Sequence, residues 1–101
     1  MIRQAHVARV LRHAPVTGAR LRALLALAGA ADAQGVTVLP LAMLAAQVGV
    51  PRWYAWWLRR DLTRRGLLAA GPEPEVCAVL VGLTADEVQA VRARLDTGRA
   101  R

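Results

Sequence analysis

Gly49 and Pro51, two residues apart, constrain the fold more than any other pair in the chain. The preceding segment, Pro40 to Val48, carries Leu41, Leu44, Ala45 and Val48 at helical spacing, an inward face in the making. Proline suits the first turn of a helix, where its missing amide would be unpaired anyway. Pro40 therefore opens one helix and Pro51 the next, while Gly49 ends the first. Helices joined by so short a turn must cross at close range. The small Ala45 permits that approach, and Val48, Val50, Ala55 and Leu58 fill the angle between them.

The second of these helices, Pro51 to about Arg65, has two faces. At about 100° per residue, Ala55, Leu58 and Leu62 fall together with Tyr54 at their edge, and that side is assigned to the core. Trp53, Trp56, Trp57, Arg60 and Arg64 gather on the opposite side, again at helical spacing. Indoles in such a stripe are commonly core residues. Here, however, Arg60 and Arg64 lie within the stripe, and each would need a partner if buried. The stripe is expected to face outward, where three indoles would be unusual on an inert monomer.

The remaining elements follow from local signals. Ile2 to Arg12 reads as a short helix or arm that stops before Pro15. Thr17 is a candidate N-cap for a helix from Ala19 to Ala30, with Leu21, Leu24, Leu25 and Ala28 on one face, closed near Asp32 to Gly35. Val36-Thr37-Val38 reads as a short extended piece. Leu67 to Ala70 and Glu75 to Leu83 flank Gly71-Pro72-Glu73-Pro74 and predict a hairpin with a rigid tip. Thr84-Ala85-Asp86-Glu87 is a capping box opening a last helix to about Asp96, with Val88, Val91 and Leu95 on its apolar side. Gly98 to Arg101 is expected to be a frayed basic tail. Val76 to Val81 is apolar on both alternating faces and so needs cover on both. The last helix on one face and a second copy of the chain on the other would supply it, which predicts a homodimer.

Helix, helix, glycine-centred turn, helix, hairpin is also the order of a known architecture. With its best match in LAAQVGVPRWYAWWLRRDLTRRGLL, the chain resembles the winged helix-turn-helix DNA-binding superfamily, in the broad style of bacterial transcriptional regulators. The resemblance covers about Thr17 to Leu83. It departs at Pro51 and Trp53, where such regulators usually carry small polar residues. It implies a mainly α fold with a small β-hairpin (α+β), a winged helix-turn-helix with an extra N-terminal helix and a C-terminal helix. Residues 1–16 would be a helical arm, 17–83 the winged helix-turn-helix domain and 84–101 the C-terminal helix and basic tail. It further implies that helix 51–65 is the recognition helix.

Charge agrees with a polyanionic partner. The 101 residues hold 14 basic and 7 acidic side chains, a formal net charge of +7. Every basic residue among the 14 is arginine, as a GC-rich coding bias produces. On double-stranded DNA, Arg52, Arg60 or Arg64 would meet guanine edges or phosphates, while Trp53, Trp56 and Trp57 would pack on thymine methyls and sugars or stack on exposed bases. Arg59 and Arg65 flank the stripe and would hold phosphates. Arg20 and Arg22 read as solvated surface. Glu73 and Glu75 at the hairpin tip would be repelled by phosphates, so the wing is expected to add little DNA affinity or to face a protein.

The first reading is therefore a double-stranded DNA-binding transcriptional regulator, cytoplasmic and nucleoid-associated. One alternative is a protein interaction module that docks through the Trp53, Trp56 and Trp57 face, since Trp and Arg are enriched at binding hot spots. Another is a DNA-binding protein of replication, partition or nucleoid organisation. No catalytic constellation is visible: the chain has no serine, and its histidines, His6 and His13, sit on the N-terminal arm. Cys77, the sole cysteine, lies in an apolar run and reads as a core residue, so neither a metal ligand set nor a glycine-rich phosphate loop is present. A non-enzyme without cofactors is expected. The apolar stretch Ala23 to Ala31 is too short to cross a bilayer. Together with the basic N-terminus and Ala28-Gly29-Ala30 it imitates a signal peptide, but the leader would be overlong, arginine-studded and a part of the fold.

Overall fold

The structure, a computed structural model, describes residues 2–73 and 75–99; Met1 of the expected arm, Pro74 of the hairpin tip, and Ala100 and Arg101 of the expected tail lie outside them. The elements run α1 (Ile2–His13), α2 (Ala19–Gly29), β1 (Val36–Val38), α3 (Leu41–Val48), α4 (Arg52–Arg64), β2 (Leu68–Ala70), β3 (Val76–Val79) and α5 (Ala85–Arg99). The fold is mixed α and β, with five helices and one three-stranded antiparallel sheet among the described residues.

The leucines that share a helical face explain the helical layer. Leu24 and Leu27 of α2, Leu44 of α3 and Leu58 and Leu62 of α4 are fully buried in one cluster, with Ala45, Val48 and Ala55 beside them. Leu41, Val50 and Tyr54 pack half-buried against it. The α3–α4 turn forms as the sequence predicts. Gly49 takes a left-handed φ of 82°, and its amide bonds to the Ala45 carbonyl at 2.9 Å. That conformation is one an L side chain reaches only at a cost. Pro51 stands just before α4 at φ −62° and ψ 156°, accepting bonds from the Tyr54 and Ala55 amides.

Thr17 does not cap α2. Gly18 occupies the cap position with φ 66°, no side-chain capping bond forms, and its carbonyl accepts from the Arg22 amide. The other end of α2 closes as a turn around Asp32, whose Oδ1 accepts from the amides of Gln34 and Val36 at 2.9 and 3.0 Å. Thr37, completely buried, donates its hydroxyl to the Leu27 carbonyl at 2.8 Å, which fastens β1 to α2.

The sheet holds the main departure from expectation. Val36–Val38 is extended as expected, but it is also the third strand of the hairpin's sheet, and the order is β1-β3-β2. Val36, Thr37 and Val38 pair with Ala78, Cys77 and Val76, and Leu68, Ala69 and Ala70 pair with Val79, Ala78 and Cys77. Each face of β3 is also covered by helices, which accounts for the apolar run Val76 to Val81. Cys77, Val79 and Val81 face the helical core, whereas Ala78 and Leu80 join Ala69, Val91 and Leu95 under α5. The chain thus supplies both covers itself, and the homodimer inferred for the second face is not required to bury it.

The capping box forms as read: the Thr84 amide donates to Glu87 Oε1 at 3.1 Å and the Glu87 amide to Thr84 Oγ1 at 3.3 Å. The helix it opens runs through Gly98 to Arg99, past the predicted end at Asp96. At the other end of the chain, α1 packs on α2 and is pinned by Arg9. This side chain donates Nε to the Val81 carbonyl at 2.7 Å and Nη1 to His6 Nδ1 at 3.1 Å. Gly82 lets α1 come this close, since a Cβ there would lie 2.7 Å from Arg9 Cγ and 2.8 Å from His13 Cδ2. Among the described residues no helix is long and apolar enough to cross a membrane.

Candidate functional site

The two-faced reading of α4 holds in three dimensions. Ala55, Leu58 and Leu62 are buried, while Trp53, Trp56 and Trp57 are 71%, 52% and 38% exposed. Three indoles are thus held on a rigid helix and left to solvent, an arrangement that costs hydration free energy unless a ligand covers it.

The stripe is not uniform, however. On the flank towards α2, Trp53, Tyr54 and Trp57 form a ladder of rings: the Trp53 and Tyr54 centroids are 5.5 Å apart, and Tyr54 stacks on Trp57 at 5.7 Å with 10° between the planes. Arg20 of α2 extends the ladder, with its guanidinium carbon 5.2 Å from the Trp57 ring centre. On the flank towards the sheet, Arg60 lies over Trp56 at 5.3 Å.

Asp61 sets the position of Arg20. Its Oδ2 accepts from Arg20 Nε at 2.7 Å and from Arg65 Nε at 2.8 Å. Arg20, read from sequence as solvated surface, is therefore part of the face, and Arg65, read as a phosphate ligand, is tied within the chain. The signal in the sequence was Asp61 itself, the lone acid on a helix of arginines. The Arg20 hydrogen bond, and secondarily that of Arg65, holds the Asp61 carboxyl below its ordinary value. A group whose folded pKa is depressed contributes stability that is fully present above its unfolded value, about 3.9 for Asp, and lost as pH falls through the folded one. Asp61→Asn should therefore shrink the drop in the urea midpoint between pH 6 and pH 3. Glu87, depressed mainly by the Thr84 amide, keeps the same sign of dependence in the variant. An undiminished drop would show that the two guanidiniums do not stabilise the ionised carboxylate.

The remaining predicted cations divide by environment. Arg52 and Arg64 are exposed, with no side-chain hydrogen bond or ion pair among the described residues. Arg59 is half-buried and lies beside Cys77, which is itself buried between the strands and α4. Burial pushes the Cys77 thiol up, and the Arg59 charge and hydrogen bond offset this only in part. The sequence, with no basic residue near Cys77, gave no sign of this contact.

Between α4 and the sheet runs a groove of about 380 Å³. Trp56, Arg59, Arg60, Thr63 and Arg64 line it from the helix, and Ala70 and Cys77 from the strands. Its lining carries three guanidiniums and no carboxylate. Glu75 lies in an adjoining depression of about 260 Å³, with Leu41, Trp56 and Arg59. Among the described residues there is no cluster of three His, Cys, Asp or Glu side chains able to hold a metal ion.

Chemically, the groove between α4 and the sheet offers guanidinium donors without a carboxylate, positive charge and a flat apolar ring. Such a surface suits an anionic ligand with planar or apolar parts. No protein-family model, curated protein or solved structure matches the chain.

Proposed function

We propose that the chain is a DNA-binding protein of winged helix-turn-helix type and that it acts as a transcriptional regulator through α4. The observation that carries this reading is the outer face of α4, where Trp53, Trp56 and Trp57 stand exposed with Arg52, Arg60 and Arg64. The order α3, Gly49 turn, α4 and β2–β3 hairpin supports it, as does the net charge of +7. The arginines supply the phosphate contacts and the indoles supply contact area. Replication, partition or nucleoid organisation would use the same surface at other sites on the chromosome.

Binding of a random duplex should weaken steeply between about 50 and 200 mM salt, as counterions compete for the phosphates. A flat salt response removes the mechanism. The exposed indoles also favour a second reading, a face for docking on a partner protein. Trp56→Ala separates the two: on the DNA reading the affinity for intact duplex is nearly kept, whereas docking on a protein collapses.

A further inference from the structure

We infer that the groove between α4 and the sheet takes an unpaired nucleotide, its base against Trp56 and its phosphate on Arg60 and Arg64. This rests on the DNA reading above and names the form of DNA that the surface fits best. In a duplex each base covers the faces of its neighbours, and only edges and methyl groups reach the groove. An indole has one donor and no acceptor with which to read those edges. Three exposed indoles therefore find full use only where a strand offers ring faces, as unpaired bases do.

The groove's own chemistry matches such a unit. Its volume of about 380 Å³ is in the range of small-ligand sites. Ala70 and Cys77 give it an apolar side, Trp56 a ring wall, and the arginines a cationic rim. Arg60 covers one face of the Trp56 ring at 5.3 Å, and the residue remains half exposed, so the ring retains surface for a second planar group. The charge is complementary to a phosphate, because no carboxylate lines this groove.

The test compares the full-length chain on an intact random duplex and on the same duplex with a short single-stranded gap, by fluorescence anisotropy. The gapped duplex should bind about tenfold more tightly, the size of one stacked base. It should also quench tryptophan fluorescence more strongly. Trp56→Ala should bring the two affinities together, and Trp56→Phe should keep most of the difference, with circular dichroism reporting that each variant folds. Equal affinity of the wild-type chain for the two duplexes overturns the inference and leaves the DNA reading standing. Binding of neither overturns both. Adenosine monophosphate bound as tightly as the gapped duplex would place the nucleotide free in solution, and so overturn the assignment to a strand.

Discussion

Replacing Arg60 and Arg64 together by alanine should weaken binding of a random duplex by roughly 150-fold, taking about 1.5 kcal/mol, the lower end for a charge-assisted contact, for each arginine. It should also flatten the plot of log affinity against log salt by about 2, one phosphate contact for each arginine. The two side chains are exposed on one stripe of α4, and Arg64 has no side-chain partner among the described residues. Their loss should therefore leave the fold intact, and a urea midpoint within a few tenths of a molar of the wild type would confirm it. The charge change alone is not the cause predicted. Removing Arg92 and Arg94 together, both exposed on α5 and away from the groove, is the matched control and should cost far less. Equal losses from α4 and α5 would mean that binding depends on net charge rather than on this face.

The second large effect lies on the opposite side of the same helix. Leu58→Ala should lower the unfolding free energy by about 2–5 kcal/mol, the range for emptying a buried leucine site. For a domain of this size, whose whole stability is about 5–15 kcal/mol, that is a large share. Leu58 is fully buried in the cluster that joins α2, α3 and α4, so no rearrangement of one helix alone can fill the space. Trp53→Ala, five positions earlier but largely exposed, should change stability by less than about 0.5 kcal/mol. Denaturant unfolding of the two variants side by side checks the contrast. A Trp53 variant as destabilised as the Leu58 variant would show that the indole face contributes to the core.

How far the sequence disclosed these features depended on how local their causes are. The two faces of α4 were legible because periodicity within one helix separates Ala55, Leu58 and Leu62 from the indoles. The Gly49 turn and the Thr84–Glu87 box were legible for the same reason, each being written in a few consecutive residues. Pairing between distant segments left no such trace. Nothing in Val36-Thr37-Val38 announces that it will lie against Val76, Cys77 and Ala78, because strand pairing is set by tertiary packing. Nor does the sequence show that Cys77, Val79 and Val81 pack on the helical core while Ala78 and Leu80 pack under α5, and that omission produced the mistaken need for a second copy over β3.

The same limit applied to the candidate site. Arg20 reaches Asp61 and Trp57 across a helix–helix contact, and Arg59 reaches Cys77 across a helix–sheet contact. Asp61, the lone acid on α4, hints that an arginine is held there but not which one, and nothing near Cys77 announces Arg59. The consequence is a smaller set of available cations than composition suggests. Arg65 is held by Asp61, Arg20 is shared between Asp61 and Trp57, and Arg9 is spent on the Val81 carbonyl. What is left beside the indoles is Arg52, Arg60 and Arg64, concentrated on the face that the DNA reading uses.

The central claim, that the indole face of α4 is where DNA is held, is tested most directly by the side-chain N–H resonances of the three tryptophans in a proton–nitrogen correlation spectrum. Adding duplex DNA to the labelled chain should shift or broaden the signals of Trp53, Trp56 and Trp57 together, while backbone amides along the exposed side of α5 stay in place. Saturated binding with all three indole signals unmoved would contradict the account.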